Sequence, residues 1–105
     1  MSDFKSTILS FVTRIPKGRV TTYKELAIAA GSPNASRAVG NALNKNPNPI
    51  KIPCHRVVKC TGDIGDYVFG KKQKEILLKK EGIAIKKGKI VNFRHLNYKY
   101  RKQQI

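Results

Sequence analysis

The sequence predicts a mainly α domain with a small β hairpin or wing, organised as a winged helix-turn-helix. Three observations predict it. Apolar residues recur at helical spacing in successive stretches, and glycine- or proline-containing turns separate those stretches. Two of the stretches are short and meet across the tight turn Gly31-Ser32-Pro33-Asn34, which is the helix-turn-helix pattern. Strand-like residues come only in short runs, around Cys54 and after Gly82.

Taken in order, Phe4, Ile8, Leu9, Phe11 and Val12 predict an amphipathic helix over 3–14, with Ser2 or Asp3 as its cap. Ile15-Pro16-Lys17-Gly18 ends it in a turn, and Arg19-Val20-Thr21 suits only a small strand. Thr22-Tyr23-Lys24-Glu25 is a capping-box pattern, with Thr22 as the cap, and Leu26, Ala27, Ala29 and Ala30 continue that helix. The next helix, over 35–45, places Ala38, Val39, Ala42 and Leu43 inward and Arg37, Asn41, Asn44 and Lys45 outward. Small residues at Ala35, Ser36 and Gly40 suit close approach to a nucleic-acid backbone. A plain helical hairpin in a core would share the pattern. Asn46-Pro47-Asn48-Pro49 is a loop. Residues 52–59 read as a β-like run, and the turns at 61–63 and 65–66 suggest a hairpin or wing over 57–70. Gly70-Lys71 opens a further helix with Ile76, Leu77 and Leu78 apolar, stopped by Gly82. Two short strands then flank Lys86-Lys87-Gly88-Lys89, and the basic, aromatic end from Arg94 is expected to be loosely held. Residues 1–85 read as the active-site and DNA-binding domain, and 86–105 as its basic C-terminal extension.

Composition narrows the class. A chain of 105 residues with a 40% apolar share suits one folded domain. Lys and Arg number 22 against 6 Asp and Glu, a net charge of +16. A polyanion is the natural partner of such a surface, with nucleic acid first. The N-terminus has no signal-peptide pattern and no apolar run could span a bilayer, so a cytoplasmic protein is expected, nuclear in a eukaryote, with no membrane partner. Cys54 and Cys60 are then free thiols. With only His55 and His95 beside them, no zinc spacing appears, and neither metal nor other cofactor is expected. No helix is set apart for dimerisation, so a monomer is expected.

Chemistry concentrates in Ile52-Pro53-Cys54-His55-Arg56-Val57-Val58. Proline stiffens the backbone entering Cys54, and the cationic neighbours favour its thiolate, the nucleophilic form. A soft nucleophile on a stiff segment suits attack on carbon. By itself the motif fits a buried structural cysteine at least as well, because Ile52, Val57 and Val58 surround it.

The ordered set Thr22-Tyr23-Lys24-Glu25-Leu26-Ala27, Ser36-Arg37-Ala38-Val39-Gly40, Asn46-Pro47, Pro53-Cys54-His55-Arg56-Val57 and Lys74-Glu75 leading to Glu81-Gly82 resembles the C-terminal, active-site domain of O6-alkylguanine-DNA alkyltransferases, over about 4–85. The resemblance implies repair by direct reversal: a flipped O6-alkylguanine in double-stranded DNA gives its alkyl group irreversibly to Cys54, once per molecule. It implies that His55 takes the thiol proton through a water and that Glu81 orients the histidine. Asn46 would brace the cysteine loop, and Tyr23 would donate to the departing guanine. Arg37 would fill the space the base vacates, on a DNA-binding helix with Ala38, Gly40, Asn41 and Lys45. Val57, Tyr67, Val68 and Phe69 would form the base pocket, with the carbonyls of Cys54 and Val57 reading the exocyclic amine and the Val68 N–H meeting O6. At Val68-Phe69 the family usually has small residues, and the family's N-terminal domain has no counterpart here. Physical chemistry supports the set. Chemistry inside a base stack requires extrusion, a gap-filling side chain offsets part of its cost, and a tyrosine is a fitting acid for a base leaving as an anion. Two other readings stand beside it: an alkyltransferase-like protein that binds lesions without removing them, and a winged-helix transcription regulator in which Cys54 only packs.

Overall fold

The Asp3 carboxylate accepts from the Ser6 N–H at 2.8 Å and starts helix α1, Phe4–Val12. A computed structural model describes residues 3–49 and 51–100; Ser2, the other expected cap, lies outside them. Ile8, Leu9 and Val12 form the buried face of α1. The Thr22 hydroxyl accepts from the Glu25 N–H at 2.9 Å, opening helix α2, Tyr23–Ala29. A turn through Gly31 leads into helix α3, Ser36–Asn44. Helices α1, α2 and α3 pack around Leu26, Ala27, Val39, Ala42 and Leu43. Ala38 is exposed, not inward as its spacing suggested. The inner stripe runs through 35, 39, 42 and 43, one position round from the expected face.

The stretch over 57–70 is not a hairpin. Strand β1, Thr21–Thr22, pairs in parallel with strand β2, Val57–Val58, so the segment after Cys54 joins the start of α2. Alternation along β2 sends Val57 into the three-helix core and Val58 into a second core with Val20, Ile64, Leu78, Ile83 and Ile90. Helix α4, Lys71–Lys80, ends at Gly82, whose φ of +87° is the left-handed stop a glycine permits. Its buried face is Lys74 and Leu78, while Ile76 is 44% exposed. The observed hairpin is strand β3, Ile85–Lys86, against strand β4, Lys89–Ile90.

The expected loose tail is docked as far as Tyr100. A short helix α5, Phe93–Leu96, follows β4, and Val20 N donates to Leu96 O at 3.1 Å. The Thr21 hydroxyl donates to Tyr98 O at 2.7 Å, and the Tyr100 hydroxyl to Phe11 O at 2.6 Å. The Tyr98 and Tyr100 rings meet edge to face. Aromatic burial, which a charge count overlooks, holds this segment.

Candidate active site

Pro53 is buried and leads into a 3-10 turn, Cys54–Arg56, that runs straight into β2. The turn is therefore fixed at its end by the β1–β2 pairing and braced at its start by Asn46. The Asn46 amide donates to Ile52 O at 2.9 Å, and its oxygen accepts from the Asn48 N–H at 2.9 Å. Asn46 is buried, and truncating it would leave the Asn48 N–H unpaired and Ile52 O with the Cys54 N–H alone.

The thiol of Cys54 is 5% exposed and reaches the floor of a cleft of about 640 Å³. Tyr23, Ser36, Arg37, Gly40, Asn41, Cys54, Lys59, Asp66, Tyr67 and Val68 are among its lining residues. Burial pushes the thiol pKa up, and the Asn46 amide and the Lys74 ammonium oppose that by favouring the thiolate.

Behind the thiol, Glu81 takes three hydrogen bonds. Arg56 grips it with Nε and Nη2 at 2.9 and 2.7 Å, and His55 Nε2 lies 2.9 Å from Oε2. Burial would raise the Glu81 pKa, but Arg56 and His55 outweigh it and the net shift is downward. Burial lowers the His55 pKa despite the pull of Glu81, so the imidazole is neutral at neutral pH. It then donates Nε2–H to the carboxylate, which leaves Nδ1 as a free acceptor. That Nδ1 is buried and bonds to none of the described residues. A buried base with its lone pair uncommitted is equipped to take a proton.

Tyr23 sits at the first position of α2, on the cleft wall. Burial, then Asp66 and Cys54, push its pKa up to about 12, so it stays a phenol and a donor. Gly65, at φ +74°, lies against it: a Cβ there would meet the Tyr23 hydroxyl at 3.4 Å. Arg37 is exposed on the facing wall.

Of the residues singled out from sequence, Tyr23, Arg37, Gly40, Asn41, Cys54, Tyr67 and Val68 share the cleft, while Asn46 and His55 are buried outside its lining and Glu81 bonds to His55. Ala38 and Lys45 are exposed on α3 and at its end, off the cleft wall. Val57 is fully buried in the core, so a part in the pocket is left to its backbone carbonyl. One pocket assignment needs correction. Phe69 is 61% exposed and off the cleft wall, set edge-on against Tyr67 with ring centroids 5.6 Å apart. Its neighbour Gly70 turns the chain at φ +96° into α4, which leaves Phe69 outside.

Lys74 carries more than its place in a motif suggested. It is 0% exposed, and Nζ donates to Val57 O at 2.6 Å and Asp66 O at 2.8 Å. It thereby ties β2 to the loop that carries Tyr67 and Val68. Burial lowers its pKa to about 7, while Cys54, Asp66 and Asp63 act to raise it. Spacing held the clue: Lys74, Leu78 and Glu81 fall at i, i+4 and i+7, on one helical stripe. Lys74→Met is expected to slow alkylation of Cys54 by iodoacetamide at neutral pH about tenfold, by removing a cation that favours the thiolate and so raising the thiol pKa further. The pH profile of the rate checks this. A purely structural lysine would lower Tm and leave that midpoint where it was.

Among the described residues, no group of three or more His, Cys, Asp or Glu could hold a metal ion, and no helix is long and apolar enough to cross a membrane.

Fold and thiol together define a class: a helix-turn-helix domain whose second helix and a buried cysteine line one cleft. Residues 3–83 match the family described as 6-O-methylguanine DNA methyltransferase, DNA binding domain, and the chain belongs to that family. It is 46% identical over 80 residues to the methylated-DNA–protein-cysteine methyltransferase of Methanosarcina barkeri, covering 76% of this chain and 51% of that one. To the Homo sapiens protein of the same name it is 51% identical over 81 residues, 76% of this chain and 39% of that one. The chain spans about half the length of the archaeal curated relatives it matches. Among solved structures, Mycobacterium tuberculosis OGT in complex with DNA superposes with a TM-score of 0.74 at 38% identity, over 77% of this chain and 50% of that one. S. pombe Atl1 in complex with damaged DNA containing O6-carboxymethylguanine superposes with a TM-score of 0.83 at 30% identity, over 95% of this chain and 98% of that one.

Proposed function

We propose that this chain repairs DNA by taking the alkyl group of O6-alkylguanine onto Cys54, irreversibly and once per molecule. It corresponds in this reading to the active-site, C-terminal part of the longer relatives. It works as a monomer on double-stranded DNA, in the cytoplasm or, in a eukaryote, the nucleus. The observation that carries the reading is the thiol at the cleft floor, 5% exposed, with a neutral His55 anchored to Glu81 behind it. A cysteine that merely packs has no use for a buried imidazole whose Nδ1 is uncommitted.

The step balances as follows. The Cys54 proton passes through a water to His55 Nδ1, and Sγ attacks the alkyl carbon. The carbon–O6 bond breaks as the sulfur–carbon bond forms. The electron pair leaves with guanine, and the Tyr23 hydroxyl supplies a proton to the base. Asn46 holds the cysteine loop in place. The Val68 N–H meets O6, and the carbonyls of Cys54 and Val57 accept from the exocyclic amine. The Val57 carbonyl already accepts from Lys74, and its second lone pair serves the base. Arg37, Gly40 and Asn41 present α3 to the DNA, with Ala38 and Lys45 beyond the cleft edge.

Incubation with duplex carrying a labelled O6-methyl group tests the proposal. One label per protein, mapped to Cys54, is the expected result. Label on Cys60 would reject the site, and tight lesion binding without label would establish the other reading.

That other reading, a lesion-binding protein without transfer, is favoured by one feature. Val68, on the cleft wall, is 43% exposed where the resemblance implies a small residue, and the chain matches Atl1 over nearly its whole length. The presence of Cys54 weighs against it.

Arg37→Ala should slow reaction on duplex about 10- to 100-fold, the loss of part of a base-extrusion cost of a few kcal/mol. Free O6-methylguanine base should react at the unaltered rate. Equal losses on both substrates would remove Arg37 from base extrusion.

A further inference from the structure

The β3–β4 hairpin sets Ile85 opposite Ile90 and Lys86 opposite Lys89. Residues directly opposite in an antiparallel pair share a face, and successive residues alternate. The isoleucines accordingly turn inward, onto the core around Val58, Ile64 and Leu78. The lysines turn outward, and both are exposed. Like charges set directly opposite destabilise a ladder, so folding does not favour that pair.

The hairpin is fastened to the loop that leaves the cysteine motif. Ile64 N donates to Gly88 O at 3.0 Å, Ile90 N donates to Gly62 O at 2.8 Å, and Asp63 bridges to Lys89. Asp63 marks where the cations converge. The Gly65 N–H holds its carboxyl below the ordinary range, and Lys71, Lys59 and Lys89 add to that. Lys71 Nζ lies 3.8 Å from the carboxylate. Lys59 also lines the cleft. Three ammonium groups, those of Lys59, Lys71 and Lys89, therefore surround one carboxylate, with Lys86 opposite Lys89 on the ladder and Lys59 reaching the cleft wall formed by residues 59–68.

We propose that Lys86 and Lys89, with Lys71 and Lys59 beside them, form a second phosphate-binding surface that grips the DNA backbone where it runs past the 59–68 wall. The proposal rests on the repair reading, because a duplex whose base enters the cleft brings its own phosphates to that wall. Duplex DNA carries one charge per ~1.7 Å of axis, enough to occupy a patch of this density. It also relieves the repulsion between the opposed lysines.

The test is a salt titration of duplex binding by the full chain and by Lys86→Gln/Lys89→Gln. Each lost phosphate contact lowers the log–log salt slope by about 0.9, so the double variant should fall by about 1.8. Lys79→Gln/Lys80→Gln, at the far end of α4, removes the same charge and should leave the slope unchanged. No fall in the first variant, or an equal fall in both, overturns the proposal. A flat response of the unaltered protein to salt, with no duplex binding, would instead reject the repair reading and take this surface with it.

Discussion

Cys54→Ala is expected to abolish alkyl transfer entirely while leaving duplex affinity nearly unchanged. The sulfur is the atom that forms the new bond, and the exposed Cys60 is not among the cleft residues. In the proposed reading binding is distributed over the exposed side chains of α3 and the cationic surface, which Cys54 meets only through the core beneath α3. Cys54 does pack in the three-helix core, so some stability is lost with the sulfur. A loss of about 1 kcal/mol would lower Tm by about 4–8 °C in a domain of this size. A transfer assay on labelled duplex, a gel-shift titration and a melting curve separate these effects. Loss of binding together with transfer, in a variant that still melts cooperatively, would mean that the residue holds the DNA-facing surface together and is not chiefly chemical.

The helices were legible because their signals are local. Asp3 and Thr22 cap by contacts three residues away, and Gly82 ends α4 by its own backbone freedom. The site motif was legible because proline, cysteine, histidine and arginine are adjacent in the chain. What the sequence left hidden depends on pairing across distance. Val57-Val58 reads as one arm of a local hairpin, yet its partner is Thr21-Thr22, more than thirty residues earlier. Nothing in a two-residue strand specifies which other two-residue strand it meets. The same holds for the end of the chain, where Tyr98 and Tyr100 look like a tail until Thr21 and Phe11 are found to bond them. Lys74 was concealed by chemistry. A lysine inside a helix is expected in water, and it is the two backbone carbonyls accepting from Nζ that make its burial favourable.

These long-range pairings also explain why the cleft can be both rigid and reactive. Strand β2 is the seam between two cores, with Val57 in one and Val58 in the other. The 3-10 turn before it cannot shift without disturbing both. The nucleophile is thus held by packing on either side of its strand, while Asn46 and Lys74 secure the loops around it.

Glu81→Ala carries the second large expectation, on stability and chemistry together. Removing the carboxylate strands the Arg56 guanidinium, 15% exposed, and the His55 Nε2–H. Breaking a buried charge pair from one side costs about 3–5 kcal/mol, which translates to a fall in Tm of roughly 12–40 °C. Transfer should slow more than stability alone accounts for, because nothing then fixes the His55 tautomer that leaves Nδ1 free. The pH dependence gives an independent check. In the unaltered protein His55 titrates below its ordinary 6.5, so the unfolded chain takes up that proton first and stability declines as pH falls below 6.5. Glu81 also titrates below its ordinary 4.5; its contribution is complete above that value and is lost as pH falls through its folded pKa. Without Glu81 nothing opposes the burial of His55, its folded pKa drops further, and the His55 decline extends to lower pH, while the Glu81 decline disappears. Melting curves between about pH 2 and 7 would register both changes. A variant whose stability follows the same pH curve as the unaltered protein, merely displaced downward, would show that His55 and Glu81 are not linked as their 2.9 Å contact requires.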